Sequence, residues 1–142
     1  MTVTLRPVRE ADAVHVAALL TELGYPSNAA DVEERLDHSL RSKTNCCLVA
    51  ESADEVIGLM SAELVPYFPT GATICRVTAL VVSAQSRRGG IGEQLLAAAE
   101  KFARQHHCSG IEVTSAERRV DAHRFYQKLG FSRTAFRFFR AL

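Results

Sequence analysis

The chain has 142 residues and sets 17 Lys and Arg against 16 Asp and Glu, so its net charge is only +1. That balance excludes a general electrostatic attraction to nucleic acid or to an acidic membrane surface, and any anion binding must be local. A share of 47% hydrophobic and 23% charged residues is an ordinary globular balance, and the length suits one domain spanning 1–142 with a real core.

Residues 2–9 alternate Val3, Leu5 and Pro7 against Thr2, Thr4, Arg6 and Arg9, which reads as a short half-buried strand that opens the sheet. The N-terminus has no basic region followed by an apolar run, so no signal peptide is read there. No apolar stretch is long enough to span a bilayer. From Glu10 to Leu23 the residues Ala13, Val14, Ala17, Ala18 and Leu20 fall at helical spacing, and Gly24-Tyr25-Pro26 stops the helix. A second helix is expected from Asn28 to Arg41, with Val32, Leu36 and Leu40 on one stripe and acids near its start.

Cys46–Ala50 and Val56–Val65 read as a strand pair joined through Glu51–Asp54, a hairpin. Pro66, Pro69 and Gly71 break the chain before Thr73–Val82, a strand rich in β-branched residues. Ile91 to His106 carries Ile91, Leu95, Leu96, Ala99, Phe102 and Ala103 on one face of a strongly amphipathic helix. A strand at Gly110–Thr114, a helix at Val120–Leu129 and an aromatic, β-favouring end at Phe131–Leu142 complete the order. The expected fold is α/β, a mixed central sheet of about six strands with four helices in the order βααββ-βαβαβ. The strands at 73–83 and 110–115 flank a crossover helix and should be parallel neighbours.

Cys46, Cys47, Cys75 and Cys108 form no C-x-x-C pair and no zinc spacing, which fits a reduced, cytoplasmic protein. His106-His107-Cys108 sits at a helix end where adjacent side chains diverge, with no second ligand cluster in the sequence, so no metal is expected.

The most informative stretch joins Val81-Val82 to Arg87-Arg88-Gly89-Gly90-Ile91-Gly92, a strand followed by a glycine-rich turn and a helix start. Glycine tolerates positive φ and has no Cβ, so the backbone can turn tightly and a ligand can approach its amides. The first amides of the helix lack intrahelical partners and lie at the positive end of its dipole, which favours a phosphate. Arg87 and Arg88 could add charge-assisted donors. A dinucleotide fingerprint starting at Gly90 would need glycine at Leu95, and a P-loop would need Lys and Ser or Thr where Glu93 and Gln94 stand. Both fail. A plain surface turn with two solvated arginines is the competing reading.

Arg87, Gly90 and Gly92 spell R-x-x-G-x-G, and Ala122, Phe125, Tyr126, Gly130 and Phe131 spell A-x-x-F-Y-x-x-x-G-F. Together, in this order and spacing, the two motifs resemble those of the GNAT superfamily of N-acetyltransferases, over nearly the whole chain. The end of the chain, from Asp121 through Phe136-Arg137-Phe138 to Ala141-Leu142, most resembles the aminoalkylphosphonate N-acetyltransferases.

The resemblance implies acetyl-CoA as cosubstrate, a small-molecule amine as acceptor and direct attack of the amine on the thioester. By the same resemblance, amides of Leu80, Val81 and Val82 would hold the acetyl and pantetheine groups. Amides of Arg87, Arg88, Gly89, Gly90, Ile91 and Gly92 would hold the pyrophosphate, and Tyr126 would reach the coenzyme sulfur as general acid. Two positions depart from the pattern. Arg76 and Ala79 stand where the aminoalkylphosphonate enzymes carry carboxylates, so aminoalkylphosphonates are expected to be poor acceptors. Ala116 stands where the family often has Asn.

Glu63, a carboxylate on an otherwise apolar strand, is the candidate base for the amine. The alternatives are that it faces solvent or pairs with Arg76, with an ordered water chain taking the proton. A non-catalytic acyl-CoA-binding regulatory module on the same fold is the second functional reading. Nucleic-acid binding through Arg87, Arg88, Arg118 and Arg119 is the third, disfavoured by the net charge. A homodimer is compatible with the sequence.

Overall fold

The computed structural model describes residues 2–142. The chain forms two compact units, one running through Glu112 and the other covering Val113–Leu142.

The first unit is built on a sheet of strand order β1-β2-β3-β4-β5. Its strands are β1 (Thr4–Pro7), β2 (Asn45–Ser52), β3 (Glu55–Tyr67), β4 (Ala72–Val82) and β5 (Gly110–Val113). The first four pair antiparallel in sequence order. The expected β2–β3 hairpin is present, with Ser52 opposite Glu55. Its loop residues Ala53 and Asp54 have φ of 51° and 61°, the left-handed pair that matches strand twist in a two-residue connection. β3 runs past the expected end at Val65 and through Pro66, which lies opposite Thr73. Gly71, with φ of 72°, then closes the next turn by donating its amide to the Tyr67 carbonyl at 2.9 Å.

β4 and β5 are neighbours, as expected. The Ser109 amide donates to the Thr73 carbonyl, and the Glu112 carboxylate meets the Arg76 guanidinium. Both contacts advance in the same chain direction, which is the parallel sense.

Helices α1 (Ala13–Leu23) and α2 (Ala29–Arg41) cover one face of the sheet. A short 3-10 turn at Glu10–Asp12 precedes α1. Gly24, at φ of 113°, ends α1 in the left-handed conformation, and the Asn28 side chain caps α2 by accepting from the Asp31 amide at 2.9 Å. Val16, Leu19, Val32 and Leu36 pack with Val49, Leu59 and Val81 from three adjacent strands. Because side chains alternate along a strand, the flanking trio Ala50, Gly58 and Val82 faces the other side. There α3 (Ile91–Gln105) lies on Gly58, where an added Cβ would come within 3.1 Å of Leu95 and 3.4 Å of Ile91. The missing side chain at 58 is what lets the first turns of α3 sit this close to the sheet.

A partly buried ionic cluster ties the N-terminal strand down. Arg6 donates to both Asp12 carboxylate oxygens at 2.9 Å and to Glu51 at 2.8 Å. Asp12 also accepts the Arg9 amide at 2.8 Å. The Arg6 hydrogen bonds hold both carboxyls below the usual carboxylate range.

The second unit contains α4 (Val120–Lys128), ended by Gly130 at φ of 93°. The Phe131 amide returns to the Tyr126 carbonyl at 3.0 Å, a Schellman-type closure. The expected last strand is not formed, so the sheet has five strands in place of about six. Residues 132–142 are exposed and form neither helix nor strand. The Arg133 guanidinium stacks over the Phe136 ring, and Arg137 over Phe139, each at 5.1 Å. Aromatic β-propensity expresses itself through burial against a neighbour, and Phe136, Phe138 and Phe139 are largely solvent-exposed.

No described helix is long and apolar enough to cross a membrane. Among the described residues, no group of three or more His, Cys, Asp or Glu is placed to share a metal ion.

Candidate active site

Within the first unit, the glycine-rich turn and the end of β4 form one continuous feature. Opposite Ser61 and Ala62 the register of β4 shifts: Ala79 pairs with Ser61 and Val77 with Ala62, leaving Thr78 as an extra residue. Such a bulge bends the strand and re-aims the residues after it. Thr78–Val82 also run beyond the last residue of β5. β5 runs beside β4 with Ser109 next to Thr73 and Glu112 next to Arg76, and ends one residue later. Leu80, Val81 and Val82 pair with Met60, Leu59 and Gly58 on one side, and no strand pairing on the other is present among the described residues. Backbone groups in that position are available to a ligand.

From Val82 the chain enters a 3-10 turn, Ala84–Ser86, held from below. The Ser83 amide donates to the Ile57 carbonyl at 2.8 Å, and the Ala84 amide to the Glu22 carboxylate at 3.3 Å. Arg88 and Gly90 both adopt left-handed backbone, with φ of 71° and 76°. Gly90 is the N-cap of α3, and its carbonyl accepts the first helical bond from the Gln94 amide at 3.0 Å. The amides of Ile91, Gly92 and Glu93 precede that bond and have no intrahelical acceptor, and no side chain caps the helix. A Cβ built at Gly90 meets no atom within 4 Å. The space beside Gly90 is open, and the helix dipole makes the region before these amides favourable for an anion. The residues present therefore fit a pyrophosphate.

The Arg87 side chain does not extend away from the turn. Its Nε donates back to the carbonyl of Val82 at 3.2 Å.

Glu63 lies opposite Asn45 on one side and Arg76 on the other. The alternative pairing with Arg76 is not made, because Glu112 of β5 takes that guanidinium. The Glu63 carboxylate accepts instead from the Thr44 hydroxyl and from Asn45 Nδ2, the latter at 3.2 Å. Asn45 is itself fixed by the Ala62 carbonyl at 3.0 Å and by the Ser39 hydroxyl. Glu63 is three positions along β3 from Met60, the partner of Leu80, which is about 10 Å at ~3.4 Å per residue. Direct proton transfer requires roughly 3 Å. Glu63 is therefore not in direct reach of the backbone around Leu80.

In the second unit, Tyr126 is buried, with Phe125 at 5.5 Å and Phe131 at 5.9 Å, both edge-on. Burial pushes its phenol pKa up, opposed in part by the Arg119 charge, so the hydroxyl holds its proton at neutral pH. The Ala116 carbonyl accepts from the Arg119 amide and meets the His123 ring at 2.9 Å. Ser115 carries a buried hydroxyl with no partner among the described residues.

The cysteines offer no competing nucleophile. Burial raises all four thiol pKa values, to about 12 for Cys47 and about 11 for Cys75. A thiol so shifted is almost entirely protonated at neutral pH and is a poor nucleophile.

Sequence reasoning missed three groups around these features. Glu22 supports the turn from α1 across 62 positions of sequence, a contact with no local signal. Thr44 and Asn45 orient Glu63, and their only trace in the sequence was a polar pair ahead of an apolar strand.

Comparison with known proteins agrees with the two motifs. The profile of the acetyltransferase (GNAT) family matches residues 14–131. The aminoalkylphosphonate N-acetyltransferase of Salmonella typhimurium is 39% identical over 88 residues, covering 62% of this chain and 57% of that protein. The chain thus spans little more than half the length of that relative. Among solved structures, a transcriptional regulator from Bacillus halodurans superposes with a TM-score of 0.90 at 23% identity, over 99% of this chain and 100% of that one. An aminoglycoside N-acetyltransferase in complex with CoA gives 0.87 at 17% identity, over 99% and 95% of the two chains. At these identities the two structures show a shared fold. With the profile match covering most of its length, the chain belongs to the GNAT acetyltransferase family.

Proposed function

We propose that this protein transfers an acetyl group from acetyl-CoA to the primary amine of a small molecule. The observation that carries the reading is the uncapped start of α3 behind a left-handed Gly90 with open space beside it, joined to β4 by the turn at 83–90. In this reading the amides of Arg87, Arg88, Gly89, Gly90, Ile91 and Gly92 hold the pyrophosphate, and Arg88 adds a charge-assisted donor. The amides of Leu80, Val81 and Val82 orient the acetyl and pantetheine groups and stabilise the developing oxyanion. Acetyl-CoA supplies the activated acyl group as a thioester.

The acceptor nitrogen bonds to the acyl carbon and the carbon–sulfur bond breaks. Tyr126 gives its proton to the departing sulfur. The proton lost by the amine passes through water, with Glu63 as the carboxylate that receives it. The raised thiol pKa values support direct attack over a cysteinyl intermediate. The four free cysteines fit a reducing, cytoplasmic setting, and a homodimer is compatible with the reading.

The second reading, a non-catalytic acyl-CoA-binding regulatory module, draws support from the high structural likeness to a protein described as a transcriptional regulator. Incubation with acetyl-CoA and an amine library, following thiol release, separates the two. Acceptor-dependent release is expected. Binding of acetyl-CoA without release for any amine would favour the regulatory module.

A further inference from the structure

We propose that Arg87 is a positioning residue, whose side chain locks the glycine-rich turn onto the end of β4, and that it is not a charged ligand for the coenzyme. Only the coenzyme-binding arm of its test rests on the reading above. The geometry begins with what the turn lacks. Ser83 and Ala84 are tied to Ile57 and Glu22, and Ser86 closes the 3-10 turn onto Ser83 at 2.9 Å. The first helical bond of α3 is the one from Gln94 to Gly90. Between them, residues 87–90 pass through a turn and a bend and belong to no helix or strand. The bond from Arg87 Nε to the Val82 carbonyl at 3.2 Å bridges that gap.

This bond joins the two segments that must keep a fixed separation if one ligand is to span them. Val82 ends the strand whose backbone faces the reacting acyl group. Arg87 opens the turn whose amides face the pyrophosphate. Arg88 and Gly90 hold left-handed backbone just beyond it, and such conformations persist only where the surroundings over-determine them. The donor that matters is the Nε–H. Glutamine carries its Nε2 donor at the same number of bonds from the Cα, with no charge, whereas lysine keeps the charge but places its ammonium one atom farther out. A bracing role and an ionic role therefore predict opposite orders for the two substitutions. Arg87 is exposed, so none of the substitutions disturbs the core.

The test compares Arg87→Gln, Arg87→Lys and Arg87→Ala with the parent in two measurements. Calorimetry with acetyl-CoA is expected to leave Arg87→Gln within about threefold of the parent, while Arg87→Lys and Arg87→Ala bind roughly tenfold or more weakly. In the free protein, amide order parameters of Gly89 and Gly90 should stay near the rigid value of ~0.85 in the parent and Arg87→Gln, and fall toward ~0.6 in the other two. Any other order overturns the proposal, including retention by Arg87→Lys with loss in Arg87→Gln, equal loss in all three, or no loss in any. If the parent itself bound no acetyl-CoA, the coenzyme reading would fall, and the order parameters alone would decide the brace.

Discussion

Replacing Gly90 separates backbone strain from ligand blocking, because the structure assigns each a different size. Gly90 has φ of 76°, and an added Cβ meets nothing within 4 Å. Gly90→Ala therefore creates no clash in the free protein, and its cost is the left-handed strain of an L-residue, about 1–2 kcal/mol. The unfolded chain also loses freedom on Gly→Ala, which offsets ~0.4–1 kcal/mol. The net loss is about 1 kcal/mol, or a Tm lower by roughly 3–4 °C for a chain of this size. Gly90→Asn, whose side chain tolerates the left-handed region, should lose less. Gly90→Val should lose more.

Affinity should follow a different order. If the coenzyme fills the open space beside Gly90 as proposed, a Cβ there competes with it, so all three variants should bind acetyl-CoA at least about tenfold more weakly, Asn included. Thermal unfolding and calorimetry on the same preparations give both quantities. A folded Gly90→Val that bound acetyl-CoA as tightly as the parent would refute the placement of the coenzyme.

Tyr126→Phe keeps the packing against Phe125 and Phe131 and removes only the hydroxyl. Where chemistry limits turnover, kcat should fall roughly 10²- to 10⁴-fold with acetyl-CoA affinity retained, and an unchanged kcat removes Tyr126 from the chemical step. Glu63→Gln should lower kcat/KM near neutral pH and recover in part at high pH, where more of the acceptor is free amine; a profile parallel to the parent's leaves water alone as the base. Asp12→Asn strips the bidentate partner from Arg6 and should cost about 2–3 kcal/mol in denaturant unfolding. Because the folded Asp12 carboxyl sits below its ordinary value of 3.8, its contribution is complete above that pH and lost as the pH falls through the folded value. An acid limb of stability unchanged by the substitution would contradict this. Aminoalkylphosphonates should be poor acceptors, given Arg76 and Ala79 on β4, and efficient turnover of one would reverse that expectation.

Much of this was legible in the sequence for identifiable reasons. Helices α1 to α4 each carried an apolar stripe or a stop signal strong enough to place them, and Gly24 and Gly130 end their helices in the left-handed conformation. The turn at 87–92 was legible because three glycines in four residues have few structural uses. The bulge at Thr78 was not, since it arises from how β3 and β4 align and leaves no mark on either strand alone. The tail at 131–142 misled because its aromatics match a strand only when something covers them. The partners of Glu63, Arg76 and Ala84 were hidden for a related reason. Each contact joins residues 18 or more positions apart, and only the folded sheet decides which of several polar neighbours is within reach.

The central claim is that the open start of α3 binds acetyl-CoA and that the bound acyl group passes to an amine. It is tested most directly by following thiol release and acetylated product together, with acetyl-CoA and an amine panel, in the parent and in Gly90→Val. The account predicts one thiol released per acetylated amine in the parent, none without an acceptor, and a much smaller rate in the variant. Acetyl-CoA binding with no acetylated product from any amine, or a Gly90→Val rate equal to the parent's, would contradict it.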